Sequence, residues 1–207
     1  MSVLSIAKIQ SIFQSCDLTL SEEASEHFRA YLELLLRWNQ RISLTALESP
    51  EEIVRIHFVE SVLATKTGIE LGGRLADVGT GAGFPGLPLG IYLPELKLTL
   101  IEPNAKKCAF LAEVSRALEL RDVEIVPKRY EDVRPPDPLF DILTSRALGQ
   151  FVEFLEWAET VLVPGGNVAV WTGPDGKIEL ERRKSWKWRE PYVIPGSKRR
   201  LILVGSR

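Results

Sequence analysis

Residues 77–86 read Asp-Val-Gly-Thr-Gly-Ala-Gly-Phe-Pro-Gly, and this stretch decides the fold class. It follows the short apolar run RLADV and leads into a second apolar run, PGLPLGIYL. The order is typical of a strand that passes through a tight turn into a helix. Glycine has no Cβ, so such a turn brings a ligand close to the backbone. The stretch therefore predicts a ligand site at the end of a strand.

The glycine spacing indicates which ligand this is. The glycines fall at positions 79, 81 and 83, whereas the dinucleotide fingerprint requires the third at position 84, where Phe84 stands. Asp77 closes the strand, and its carboxylate would repel a pyrophosphate but suits an ammonium or a sulfonium. S-adenosylmethionine carries both cations and no phosphate. We therefore predict that Asp77, Gly79 and Gly81 bind S-adenosylmethionine, with a dinucleotide-dependent oxidoreductase as the less favoured alternative.

An acidic residue after the next predicted strand supports a nucleoside ligand. Glu102 lies 23 residues after Gly79, at the end of the run LKLTLIE. An acid at this place accepts hydrogen bonds from ribose hydroxyls in dinucleotide enzymes. Glu102 is thus predicted to bind the adenosine part of the cofactor, and it does not separate the two ligand classes.

The pattern of apolar and polar residues from about residue 74 onward indicates an α/β fold. Short apolar runs alternate with helical patterns, which predicts parallel strands joined by crossover helices. The runs EPYVIP and RRLILVG, joined by GSK, predict an antiparallel hairpin at the sheet edge. The predicted fold is a Rossmann-like, mostly parallel sheet. The predicted strands are RLADVG (74–79), LKLTLIE (96–102), DVEIV (122–126), LFDILTS (139–145) and NVAVWT (167–172).

The preceding residues have helical periodicity. One helix is predicted within 19–40, with Thr19 and Glu22 as a capping box. A second is predicted within 49–68, where Ser49 caps the helix and Pro50 takes its first position. We therefore divide the chain into a helical N-terminal extension, 1–70, and a cofactor-binding domain, 71–207.

Charge is unevenly distributed along the 207 residues, although the net charge is only −2. Positions 182–207 carry nine Lys or Arg and one acid, and the rest carries 17 basic and 27 acidic groups. Trp186 and Trp188 alternate with cations in this segment, a pattern that suits single-stranded RNA. The alternative is that the tryptophans pack on the sheet and the charges are solvated.

The cysteines, the histidines and the lengths of the apolar runs limit the class of protein further. The two cysteines, Cys16 and Cys108, and two histidines show no metal-ligand spacing, so we expect no metal and a reducing cytoplasm. The longest apolar runs are too short to cross a bilayer.

Five motifs occur together in one family's order and spacing. They are NQRISLT (39–45), DVGTGAGFPGLPL (77–89), KKCAFL (106–111), RYED (129–132) and SRA (145–147). From about residue 35 to the end, the chain resembles the small-subunit ribosomal RNA guanine-N7 methyltransferases, the RsmG or GidB family. The resemblance implies a cytoplasmic bacterial enzyme that uses S-adenosylmethionine to methylate N7 of one guanine in 16S rRNA. Its expected partner is the small ribosomal subunit or an assembly precursor, and we expect a monomer.

The resemblance also implies roles for individual residues. Gly79 and Phe84 would line the cofactor, and Tyr130 and Glu131 would flank its adenine. Arg146 of SRA would contact the cofactor or the target base, and it is the one catalytic candidate. Its alternative role is a salt bridge that fixes the loop. Guanine N7 has a free lone pair and no proton to lose, so no general base is needed.

The sequence departs from the family pattern in two places. Glu102-Pro103 replaces Asp-Ser, which keeps the carboxylate but lengthens its reach. Thr172-Gly173 replaces Lys-Gly, so one expected cationic contact to the substrate is missing. A second alternative function is therefore an RNA-binding or assembly factor that binds the cofactor without turnover.

Overall fold

The computed structural model describes residues 4–135, 139–146 and 148–207. The α-helices are α1 (Ile6–Gln14), α2 (Glu22–Asn39), α3 (Pro50–Glu52), α4 (Glu60–Val62), α5 (Gly86–Tyr92), α6 (Ala105–Ala117), α7 (Phe151–Val161) and α8 (Pro174–Glu181). The strands are β1 (Arg74–Val78), β2 (Lys97–Ile101), β3 (Val123–Val126), β4 (Phe140–Arg146), β5 (Leu162–Thr172), β6 (Lys187–Trp188), β7 (Tyr192–Val193) and β8 (Leu201–Ser206).

The strands form one mixed sheet in the order β3-β2-β1-β4-β5-β8-β6, with β7 also paired to β8. β1 to β5 are parallel, and Val78 at the end of β1 pairs with Ile101 on one side and Ser145 on the other. The strand order reverses between β1 and β4, so a crevice opens there at the carboxyl ends of the strands. The predicted Rossmann-like α/β fold is confirmed.

The C-terminal strands complete the sheet on the β5 side. β8 pairs antiparallel with β5, and β7 pairs antiparallel with β8, as the hairpin prediction requires. β5 begins at Leu162, five residues before its predicted start, because Leu162 already pairs with Phe140 of β4. The helix α8 was not predicted from the sequence.

The N-terminal helices differ from the prediction in their details. Helix α2 begins at Glu22 and is capped by Ser21, whose Oγ accepts a hydrogen bond from the Ala24 N–H at 3.0 Å. The predicted capping box of Thr19 with Glu22 is therefore wrong. Ser49 and Pro50 take the N-cap and first helical positions as predicted, but the Ser49 side chain makes no capping hydrogen bond. Residues 50–66 are irregular, however, because a π-helix (Ile53–Val59) and a 3₁₀-helix (Leu63–Lys66) interrupt the α-helical hydrogen bonding.

The N-terminal helices pack into the same hydrophobic cluster as one face of the sheet. Phe28 and Tyr31 both pack against Phe58, and Tyr31 and Phe58 reach Phe84 of the glycine turn. The Tyr31 hydroxyl donates to the carbonyl of Ala82 in the same turn. The helical segment thus supports the turn directly, and a boundary at residue 70 stays a prediction.

Among the described residues, no helix combines the length and the apolar character needed to cross a membrane.

Candidate cofactor and substrate site

The glycine turn contains two kinds of glycine. Gly79 and Gly81 have φ of +65° and +61°, and a Cβ on either would meet nothing closer than 3.9 Å. Gly83 and Gly86 lie against neighbours, because a Cβ on Gly83 would overlap Leu87 and one on Gly86 would lie 2.9 Å from Asp77 Cβ. The first pair therefore leaves the backbone open to a ligand, whereas the second pair allows close packing.

Asp77 lies beneath this turn and holds it in place. Its Oδ2 accepts hydrogen bonds from the Thr80 hydroxyl at 2.5 Å and the Gly86 N–H at 2.8 Å. Its Oδ1 accepts from the Thr144 hydroxyl at 2.9 Å, which ties the turn to β4. Complete burial raises the pKa of Asp77 to about 6, against the opposing effect of these hydrogen bonds. Its carboxylate thus binds the protein's own donors, and direct contact with a ligand cation stays a prediction.

Glu102 joins the turns that follow β1 and β2. Its Oε2 accepts from the Gly81 N–H and its Oε1 from the Asn104 N–H, both at 2.9 Å. The side chain is largely buried and fixed by these two bonds. Each carboxylate oxygen accepts more than one hydrogen bond, so Glu102 retains capacity for a ribose hydroxyl.

Tyr130 and Glu131 follow β3 in the 3₁₀-helix Tyr130–Asp132. The Tyr130 ring packs edge-on against Trp157, with ring centroids 5.3 Å apart. Its hydroxyl oxygen is buried without a hydrogen-bond partner among the described residues, while Glu131 is exposed. The structure thus brings Gly79, Glu102 and Tyr130 to one sheet edge, at the ends of adjacent strands. Contact with an adenine stays a prediction.

Phe84 turns away from solvent and stacks on His57, with ring centroids 4.4 Å apart. His57 Nε2 lies 2.7 Å from the Thr45 hydroxyl. Burial, and secondarily the charge of Arg146, lowers the pKa of His57 to about 3. His57 is therefore a neutral packing residue at neutral pH. A cofactor contact by Phe84 stays a prediction.

Arg146 ends β4 beside the crevice. Its Nη1 donates to the Ile56 carbonyl of the π-helix at 2.9 Å, and its Nη2 lies 4.0 Å from Glu60 Oε2. Burial lowers the pKa of Arg146, and Glu60 opposes this effect. The neighbouring residue Ala147 of the SRA motif lies outside the described residues.

A cavity of about 360 Å³ opens between the ends of β4 and β5. Its walls include Arg146 and Thr172, the residue found where the family pattern has lysine. Leu148 lines the cavity and is also the nearest residue to a Cβ placed on Gly79. The cavity therefore adjoins the open part of the glycine turn.

Glu60 also lines this cavity, and the sequence analysis missed it. The only signal was an acid inside the apolar helical run IVRIHFVESV. Glu60 is 3% exposed, and Arg200 binds its Oε1 with Nε at 3.0 Å and Nη2 at 2.8 Å.

The two C-terminal tryptophans take the packing role. Trp186 is 3% exposed, and its Nε1 donates to Glu159 at 3.2 Å. Trp188 stacks on Trp186 and covers Gly205. Trp186 thus has no free face for a base, whereas Lys187 between the two tryptophans is exposed.

The strand order, the open glycine turn after β1 and the acid after β2 define the class: this is the Rossmann-like fold of the class I methyltransferases. The fold resembles the crystal structure of TrmN from Thermus thermophilus, with a TM-score of 0.60 and 19% identity over 72% of this chain and 48% of that one. It also resembles a SAM dependent methyltransferase from Aquifex aeolicus, with a TM-score of 0.59 and 20% identity over 76% of this chain and 93% of that one.

Sequence comparison identifies the family. Residues 24–194 match the family model GidB, described as rRNA small subunit methyltransferase G. Two relatives named Ribosomal RNA small subunit methyltransferase G illustrate the similarity. The protein from Aquifex aeolicus is 42% identical over 86% of this chain and 90% of its own length. The protein from Roseiflexus castenholzii is 36% identical over 93% of this chain and 87% of its own. The chain belongs to the rRNA small subunit methyltransferase G family, which confirms the predicted family.

Proposed function

We propose that this protein transfers the methyl group of S-adenosylmethionine to N7 of a guanine in 16S rRNA. The observation that carries the proposal is the open backbone at Gly79 and Gly81, which adjoins a cavity of about 360 Å³ in a chain of this family. A dinucleotide oxidoreductase is disfavoured by the glycine spacing and by the carboxylate of Asp77 beneath the turn.

The residues at the crevice fit S-adenosylmethionine. Gly79 and Gly81 offer an unobstructed backbone, and Glu102 retains acceptor capacity for the ribose. Tyr130 has a buried hydroxyl without a partner among the described residues, and Glu131 stands beside it for the adenine. When bound, the cofactor supplies an electrophilic methyl group on a sulfonium.

The protein's own contribution is position. N7 attacks through its free lone pair and releases no proton, so the residues must align the base and exclude water. Arg146 is proposed to contact the base; in support, it lines the cavity and its Nη1 donates to the Ile56 carbonyl. Leu148 stands between the cavity and the glycine turn.

The RNA reaches the cavity across a basic rim. Lys198 and Arg199 are exposed on the loop before β8, and Arg199 lines the cavity. Cations at the cavity mouth suit the phosphates that flank a target nucleotide. The proposed partner is the small ribosomal subunit or its assembly precursor, and the proposed state is a cytoplasmic monomer.

The proposal is tested in two steps. Calorimetry compares S-adenosylmethionine and S-adenosylhomocysteine with NAD and NADP; we expect binding of the first two alone. Transfer of a labelled methyl group is then measured on 30S subunits and on naked 16S rRNA that lacks the modification. Arg146→Ala should abolish transfer. Arg37→Ala, which breaks the ion pair between Arg37 of α2 and Glu113 of α6, should not.

Each failure has a distinct meaning. Binding of the dinucleotides alone would overturn the cofactor assignment. Cofactor binding without methyl transfer to either RNA substrate would instead favour the assembly factor. Full transfer by folded Arg146→Ala would overturn the role of that residue.

A further inference from the structure

The cavity contains one buried carboxylate oxygen that no described group satisfies. Glu60 Oε1 accepts a hydrogen bond from Arg200 Nε at 3.0 Å and lies 2.8 Å from Arg200 Nη2, but Oε2 has no hydrogen-bond partner among the described residues. Arg146 Nη2 lies 4.0 Å from Oε2, beyond hydrogen-bond distance. Glu60 is 3% exposed, so bulk water does not solvate this oxygen freely.

A buried carboxylate oxygen without a hydrogen bond costs free energy unless a donor binds it. Charged groups are rarely left buried without full hydrogen bonding, because desolvation outweighs a single ion pair. The backbone around Glu60 is also fixed, since its carbonyl accepts from Trp171 Nε1 at 2.7 Å. Glu60 Oε2 is therefore an unused hydrogen-bond acceptor that a donor on a ligand in the cavity can satisfy.

Glu60 and Arg146 together present an acceptor beside a donor. The Watson–Crick edge of guanine has the complementary pattern, with N1–H and the N2 amine as neighbouring donors and O6 as an acceptor. Adenine and cytosine lack this pair of adjacent donors, and uracil has one donor only. Resting on the proposed function, we propose that Glu60 selects the target base by accepting from N1–H and the N2 amine of guanine, while Arg146 donates to O6.

This binding mode also orients the reacting atom. N7 lies across the purine from the N2 amine, so a guanine held at Glu60 directs N7 away from it. The cavity meets the open glycine turn at Leu148, where the methyl donor is proposed to bind. Phe151 and Trp171 line the cavity and supply aromatic surface for the base.

The experiment removes one donor from the RNA and one charge from the protein. The position modified by the wild-type enzyme is mapped first, and a ligated 16S rRNA is prepared with inosine there. Inosine keeps N7, O6 and N1–H and lacks only the N2 amine. A site built around such a bond rejects the analogue that lacks it. We expect kcat/KM to fall about 10- to 100-fold on inosine for the wild type, as for the loss of a charge-assisted hydrogen bond.

Glu60→Gln should lose activity on guanosine and lose most of the preference for guanosine over inosine. The matched control is Glu159→Gln. Glu159 lies on α7 outside the cavity and pairs with Arg207, so this variant should keep the preference for guanosine. Affinity for S-adenosylhomocysteine should be the same in all three proteins, which shows that each is folded.

The outcomes separate this inference from the proposed function. Failure of the wild type to methylate guanosine would defeat the proposed function itself. Methylation of guanosine and inosine at equal rates by the wild type would overturn the role of Glu60 alone. An equal loss on both substrates in Glu60→Gln would also overturn it, because Glu60 would then only position Arg146.

Discussion

Replacing Gly79 with alanine separates the ligand role of the glycine turn from its folding role. Gly79 has φ +65°, and a methyl group there would lie 4.0 Å from its nearest neighbour, Leu148 Cδ1. The cost to folding is therefore that of a left-handed alanine, about 1–2 kcal/mol. Gly165 in β5 provides a matched control, because it has φ +80° and a Cβ placed on it would have nothing within 4 Å. Both variants should lose the same stability.

The two variants should differ in cofactor binding. The new methyl group at position 79 projects into the space proposed for S-adenosylmethionine, whereas the one at position 165 does not. Steric overlap in a packed site costs about 1–3 kcal/mol, which corresponds to affinity about 5- to 150-fold weaker. Urea denaturation measures the stability and calorimetry measures the binding. Equal affinity in Gly79→Ala and Gly165→Ala would refute the claim that Gly79 is open for the cofactor.

Three further predictions concern the residues around the site. Asp77→Ala should lower the free energy of unfolding by about 2–5 kcal/mol because it leaves three buried donors unpaired. Asp77→Asn should cost less than half as much, and equal losses of the two variants in urea denaturation would contradict this. The folded-state pKa of His57, about 3, lies below its unfolded value of 6.5, so its contribution is present above pH 6.5 and is lost as the pH falls toward 3. At about 1.4 kcal/mol per pKa unit, the free energy of unfolding should fall by roughly 2 kcal/mol between pH 6.5 and pH 5. Urea denaturation at the two pH values measures this loss, and His57→Phe, which keeps the stack on Phe84, should not show it. Charge reversal of Lys198 and Arg199 should weaken RNA binding and reduce its salt slope by about 1.4–1.8; an unchanged slope in filter binding would show that neither contacts phosphate.

The sheet and the glycine turn could be predicted because local patterns encode them. Short apolar runs, glycines at special φ values and crossover helices each depend on nearby residues. The position of Arg146 at the carboxyl end of β4 could be predicted for the same reason, because it comes directly after the predicted strand 139–145. The cap at Ser21 was missed because Thr19 and Ser21 are both good capping residues, and tertiary packing decides where α2 begins.

Glu60 could not be predicted because its environment is made by distant residues. Arg146 is 86 residues away in the chain and Arg200 is 140 residues away, and only the folded sheet brings them together. The role of the two tryptophans also could not be predicted from the sequence alone. An aromatic residue between cations suits both RNA stacking and packing, and the burial of Trp186, whose Nε1 donates to Glu159 of α7, decides for packing.

The most direct test of the central claim is to map the methyl group on the RNA. Small subunits from cells lacking this protein are incubated with the protein and labelled S-adenosylmethionine, and the 16S rRNA is cleaved by reduction and aniline, which break the chain at N7-methylguanosine. We predict label at one guanine, cleavage at that position, and loss of both with Arg146→Ala. Label on another atom or base, without aniline cleavage, would contradict the account.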